Sequence, residues 1–223
     1  MNYFEQNKIN FAREREEHNL QYPDEYVVRY IMKNFRNVSN NLKALDFACG
    51  SGRHTAFLAS LGFEVTAIDY NKVCLDLTDE KVRSIPDAKV KCIQNSGYEV
   101  PCENNSYNLV LAWGAFMNCG ADEAKTLLGN LAEKLVEGGK IFADFRTKED
   151  SMYGKGEKIG EDYFLLDNSN GSLSGITYRF DTIERIRALY KAIGLKITNV
   201  DKLDFYTNNM IIHNSHFHIE AEK

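Results

Sequence analysis

"KALDFACGSGRHTAFLASLGFEVTAIDYN", Lys43 to Asn71, is the stretch whose reading decides the fold. Ala44, Leu45 and Phe47 form an apolar run that predicts a buried strand, and Ala48, Cys49, Gly50, Ser51 and Gly52 follow as a small-residue turn. Phe57, Leu58 and Leu61 recur at helical spacing, Gly62 stops the helix, and Val65 to Ile68 give a second apolar strand ending in Asp69. A turn without large side chains lets a ligand approach backbone N–H groups at a helix N-terminus. An acid at the tip of the next strand can take both hydroxyls of a ribose.

The stretch resembles the first motif of the class I S-adenosylmethionine (SAM)-dependent methyltransferases, acid-x-G-x-G-x-G. It stands here as Asp46-Phe47-Ala48-Cys49-Gly50-Ser51-Gly52, with alanine at the first glycine, a departure of one methyl group. The "CGSGRHT" string points to the small-molecule branch. The resemblance implies that Asp46, Ala48, Gly50 and Gly52 form the cofactor turn, with the two glycines under the methionine moiety. It implies that Asp69, with Tyr70 beside it, meets the ribose. A dinucleotide dehydrogenase is the rival, but its G-x-G-x-x-G needs a third small residue where Thr55 stands.

At 223 residues and 43% hydrophobic content the chain suits one α/β domain with a full core. No apolar run approaches the ~20 residues that span a bilayer, and "MNYFEQNKIN" lacks the shape of a signal peptide. Five cysteines without a C-x-x-C pair read as reduced thiols, hence a cytoplasmic setting. With net charge −5 and no dense Lys/Arg stripe, nucleic acid is a poor substrate. No metal-ligand set emerges, and nothing points to a membrane partner or fixes an oligomeric state.

The expected architecture is a Rossmann-like, seven-stranded class I methyltransferase sheet flanked by helices, one domain over residues 1–223. Residues 1–40 would form an N-terminal helical cap and 147–180 a small substrate-covering insertion. Residues 3–20 read as a charged surface helix. In the next helix Pro23 suits the first helical position, and Val27, Tyr30 and Ile31 form its apolar face. By family analogy that helix lies over the cofactor, bringing Tyr22 and Arg29 toward the SAM carboxylate. The third strand ends at Asn95-Ser96-Gly97-Tyr98, where the family carries an acid for the adenine amine. Ser96 or Asn95 would accept instead, with the Gly97 and Tyr98 amides at the ring edge.

After the fourth strand, Leu109 to Trp113, the chain lacks the N/D-P-P-Y of amino-directed nucleic-acid enzymes. Trp113 and Phe116 either line the pocket or pack the core. "GKIFADFR" is the fifth strand, with Asp144 and Arg146 near its tip, where open α/β sheets bind ligands. "EDYFLLDNSNGSLSGITYRF" predicts a hairpin turning at Asn168 to Gly171, and Asp181 with Glu184 a capping box opening the last helix. His216 and His218 alternate with Phe217 and Ile219, which reads as a half-exposed edge strand.

Methyl transfer from a sulfonium is an in-line displacement in which positioning alone can supply about 7–11 kcal/mol. A base is needed only for an alcohol or a protonated amine. His213, Tyr206 and Asp144 are the catalytic candidates, with His216 and Tyr178 also near the rim. Arg146, Arg179, Tyr178 and Phe116 are the substrate-side candidates, and Lys155 adds charge at the mouth. The expected activity is SAM-dependent methylation of a small polar, anionic molecule, O-methylation favoured: a sugar, phosphoryl-bearing group or surface-polysaccharide building block. The alternatives are N-methylation of a small amine or amide, and a non-catalytic SAM-binding accessory protein.

Overall fold

The structure is a computed structural model that describes residues 20–36, 42–95, 98–167 and 173–223. The charged segment before Leu20 and the turn at Asn168–Gly171 lie outside the described residues, as do Ser96 and Gly97.

Lys43–Phe47 (β1), Arg53–Ser60 (α2) and Glu64–Asp69 (β2) form the strand–turn–helix–strand unit read from the sequence. Before it comes Glu25–Asn34 (α1). After it come Lys72–Val82 (α3), Lys89–Gln94 (β3), Tyr107–Ala112 (β4), Ala121–Lys134 (α4) and Leu135–Thr147 (β5). These strands lie in the parallel order β3-β2-β1-β4-β5.

The C-terminal hairpin, Lys196–Thr207 (β9) and Ile212–Glu222 (β10), completes the seven-stranded core of the sheet. β10 pairs antiparallel with β5 and β9 pairs outside it. β10 is therefore an interior strand with β9 at the edge, which corrects the edge-strand reading of His216 and His218.

Three further strands, Glu157–Gly160 (β6), Tyr163–Leu165 (β7) and Thr177–Asp181 (β8), form an antiparallel extension. It joins the tip of β5 only at Arg146↔Phe180 and Thr147↔Asp181. Its own apolar cluster, Phe164, Leu166, Ile176, Tyr178 and Phe180 with Met117, holds it together.

Period-two alternation along the strands divides the core between the two faces. Ala44, Leu109, Leu111 and Phe142 pack under α1 and α2, against Val27, Tyr30, Ile31 and Leu58. Leu45, Phe47, Val110, Ile141 and Phe145 pack on the other face, against α4 and against Ile186 and Tyr190 of Ile183–Ile193 (α5).

Two helix starts differ from the sequence reading. Asp24 caps α1, its carboxylate accepting from Tyr26 N at 2.9 Å, so Pro23 lies before the cap. Thr182 caps α5 in place of Asp181, whose carboxylate is taken by Arg179 in β8. A carboxylate already bound to a neighbour on its own strand is not free to cap the helix.

Candidate active site

The turn between β1 and α2 is built on left-handed backbone: φ is 60° at Ala48, 55° at Gly50 and 79° at Gly52. Ala48 thus occupies a conformation that glycine adopts freely and alanine at a cost of about 1–2 kcal/mol. The departure from the glycine motif is more than an added methyl.

Asp69, buried at the tip of β2, accepts Gly50 N at 2.9 Å and Asn71 N at 2.8 Å. One carboxylate so ties the glycine turn to the β2–α3 loop and is itself held in place. Asn71 then caps α3 through Val73 N. Gly52 serves packing: a Cβ there would stand 2.6 Å from Thr78 Oγ1 and 2.8 Å from Thr78 Cα, so α3 closes onto the turn. Asp46 lies beneath, fully buried, accepting the Thr55 hydroxyl at 2.6 Å. Burial pushes its carboxyl up to about 7 against that bond, with the Asp69 charge adding to the rise.

The segment before α1 runs along this turn. Leu20 O accepts from Ser51 Oγ and Lys81 Nζ, and Asp24 N donates to His54 Nε2 at 3.1 Å. Tyr22 belongs to this segment and is 83% exposed. Arg29 points away from it, paired with Glu25 on the outer face of α1. That pairing is the surface arrangement, and it leaves the SAM-carboxylate role of Arg29 without support. Asn95 N donates to Asp69 O, Gln94 Nε2 donates to Tyr70 O, and Tyr98, half exposed, donates its hydroxyl to Glu123.

A second group sits at the tips of β4, β5 and β10. Trp113 packs against His218 at 4.7 Å, Phe142 at 5.2 Å and His54 at 6.4 Å between ring centroids. His54 lies in the first turn of α2, two residues after Gly52, so this aromatic chain leads from the glycine turn to β10. Asp144, buried, accepts Gly114 N at 2.5 Å and meets His216 Nδ1 at 3.2 Å. Burial raises its carboxyl, but the His216 bond and charge together with the Gly114 amide outweigh that and hold it below the usual carboxylate value. His218 is buried between Tyr26, Trp113 and Phe142, and burial lowers its pKa. Its Nδ1 has no hydrogen-bond partner among the described residues.

The remaining candidates separate. His213 pairs with Asp204 at 2.9 Å and stacks on Tyr206 at 4.6 Å in the β9–β10 hairpin, so neither joins Asp144. Phe116 is fully buried and stacks on Phe145 in the opposite core, which removes it from the acceptor pocket. Arg179 is saturated by Asp181 and Gly120 O, a structural arginine. Arg146 lies 4.3 Å over the Tyr178 ring and bonds Asp150, yet its buried Nε keeps no partner among the described residues. Lys155 is exposed in the loop before β6. His218 and its pocket were absent from the sequence candidates. The alternation in β10 carried the signal, but its place beside β5 did not show.

This combination defines a nucleotide-type site on an open α/β sheet: an acid-anchored glycine turn at the N-terminus of α2, which has no side-chain cap. Residues 44–139 match the Methyltransferase domain family. A demethylmenaquinone methyltransferase of Geobacillus sp. (strain WCH70) is 27% identical over 53% of this chain and 50% of its own length. The chain spans about half the length of the curated relatives it matches. The crystal structure of a SAM-dependent methyltransferase from Methanosarcina mazei superposes with TM-score 0.73 at 16% identity, covering 91% of this chain and 98% of that one. The Burkholderia thailandensis 1,6-didemethyltoxoflavin-N1-methyltransferase, with bound 1,6-didemethyltoxoflavin and S-adenosylhomocysteine, gives 0.68 at 17%, covering 99% and 88%. Residues 44–139 are thus similar to a methyltransferase domain, and the fold is the one seen in SAM-dependent methyltransferases, whose cofactor is SAM.

The residues present fit that cofactor. A buried, amide-anchored carboxylate stands where a ribose diol would sit, and an uncapped helix N-terminus faces the same turn. Among the described residues no helix is long and apolar enough to cross a membrane.

Proposed function

We propose that this chain methylates a small polar molecule with SAM, oxygen being the favoured acceptor atom. The observation that carries the reading is the Asp69-anchored glycine turn leading through His54 and Trp113 to the polar group Asp144–His216. Bound SAM supplies an electrophilic methyl group on a positively charged sulfur. The chain's own task is to fix that group with the turn and Asp69, and to hold the acceptor against it at the tips of β4 and β5. Trp113 packs beside this place on the α1 side, against Phe142 and His218. Arg146 supports an acceptor with an anionic or hydrogen-bond-accepting group, since its guanidinium is buried and keeps one N–H unpartnered. Arg179 no longer supports it.

Calorimetry tests the first step: SAM binds and NAD does not. Asp69→Ala weakens SAM roughly ten- to hundredfold, the ~1.5–3 kcal/mol of a hydrogen bond to a charged group. Affinity for NAD without SAM would sink the reading. A metabolite panel assayed for S-adenosylhomocysteine release tests the second step. SAM binding with no turnover on any acceptor would return the chain to the accessory-protein alternative. On the acceptor found, Arg146→Ala raises KM about tenfold or more and leaves SAM affinity unchanged, which kinetics and calorimetry together read. An unchanged KM makes Arg146 structural.

A further inference from the structure

We propose that His216, oriented by Asp144, is the general base of this site, so that the acceptor reaches it as a protonated nucleophile, a hydroxyl or an ammonium. This rests on the methyltransferase reading and narrows its substrate class.

The geometry comes from the sheet. β10 runs antiparallel beside β5, with His216 opposite Arg146 and His218 opposite Asp144. Residues two apart share a face, so Asp144 and both imidazoles stand on the α1 side of the sheet. Asp144 is fixed from a third strand as well, through the Gly114 amide that follows β4. Its side chain is 3% exposed, whereas that of His216 is 13% exposed. The carboxylate is thus closed to a substrate and the imidazole is reachable.

Asp144 stays ionised at neutral pH. An ionised carboxylate 3.2 Å from Nδ1 makes that nitrogen the N–H donor, which leaves the Nε2 lone pair as the free base. A carboxylate that holds a histidine tautomer in this way is the orienting half of a general-base pair. The pair is not an isolated surface ion pair. Next to it the buried His218 Nδ1 lacks a partner among the described residues, a polar atom awaiting one.

In the reaction, the acceptor lone pair, which an ammonium gains only by losing a proton before attack, forms the new bond to the methyl carbon, and the carbon–sulfur pair returns to sulfur. The acceptor proton passes to His216 Nε2, and the resulting imidazolium is balanced by Asp144 until it loses the proton to solvent. A carboxylate or phosphate oxygen has no such proton to give, and a site built for one would not need the pair. Arg146 of β5, itself paired with Asp150, stands opposite His216, and His218 lies two residues along β10 with Asp201 of β9 and Asp24 of the segment before α1 acting on it.

The test uses the full chain with S-adenosylhomocysteine bound and ¹⁵N-labelled histidine. Long-range ¹H–¹⁵N spectra are expected to show His216 as the Nδ1–H tautomer, with that preference weakened in Asp144→Asn. A panel of small hydroxyl, amine and carboxylate acceptors is then assayed with His216→Asn. SAM affinity is expected to be unchanged, and turnover to fall about 10²–10⁴-fold with loss of the acid limb of the kcat/KM profile. An Nε2–H tautomer, a tautomer preference indifferent to Asp144→Asn, or full turnover in His216→Asn overturns the proposal. Should no acceptor turn over, the spectra decide. Failure of the wild type to bind SAM overturns the methyltransferase reading instead, and the tautomer of His216 is still read in the unliganded chain.

Discussion

Gly52→Ala lowers the unfolding free energy of the unliganded protein by about 2–5 kcal/mol. Two costs add: holding alanine at φ 79° costs ~1–2 kcal/mol, and forcing a methyl into a filled space ~1–3 kcal/mol. The space is filled by Thr78 of α3, whose hydroxyl bonds Gly50 O and Cys74 O, each at 3.0 Å. A Cβ at position 52 would meet Thr78 Oγ1, Cγ2 and Cα at 2.6, 2.7 and 2.8 Å. Trimming the side chain therefore removes only part of the clash. Urea unfolding of Gly52→Ala and of Gly52→Ala/Thr78→Ala is the check, with the double variant expected to recover part of the loss and never all of it. SAM affinity should fall in both, because α3 is pushed off the turn that positions Asp69. A single variant as stable as wild type would mean that α3 does not close on the turn.

The same residue shows what the sequence could and could not carry. The glycine pattern placed a tight turn between β1 and α2, because only small residues suit that backbone. It could not say that the missing side chain of Gly52 is occupied by Thr78, since that contact joins positions brought together only when β2 and α3 fold back. Local signals served well wherever the information was local: the period of the α1 face, the stop at Gly62 with φ 93°, the alternation in β10. Nonlocal pairing decided the rest. Asp181 looked like a helix cap until Arg179 claimed its carboxylate, and Phe116 looked like a pocket residue until it stacked on Phe145. His216 and His218 were legible as sharing a face. Only the placement of β10 against β5 shows that this face carries Asp144.

Asp46→Asn is expected to remove a pH-dependent cost on the order of 4 kcal/mol from the unliganded protein. Burial, opposed by the Thr55 hydroxyl and joined by the Asp69 charge, raises the Asp46 carboxyl from 3.8 to about 7. Each pKa unit corresponds to about 1.36 kcal/mol, so three units give ~4 kcal/mol. The folded state then binds its proton more tightly than the unfolded chain does. Between pH 3.8 and about 7 the folded state holds more protons, so stability falls as pH rises through that window and levels off above it. Asparagine keeps an oxygen for Thr55 and has nothing to ionise, so the difference between variant and wild type grows from small near pH 4 to its full value above pH 7. On the proposed function, a sulfonium and an ammonium bound near the turn offset the Asp46 charge. Saturating SAM should therefore stabilise wild type more at pH 8 than at pH 5, and Asp46→Asn about equally at both. Urea unfolding of the two proteins across pH 4–8, with and without SAM, reads both effects. Parallel stability curves would show that Asp46 ionises in the fold as easily as in the open chain, and that its burial is relieved by water reaching the turn.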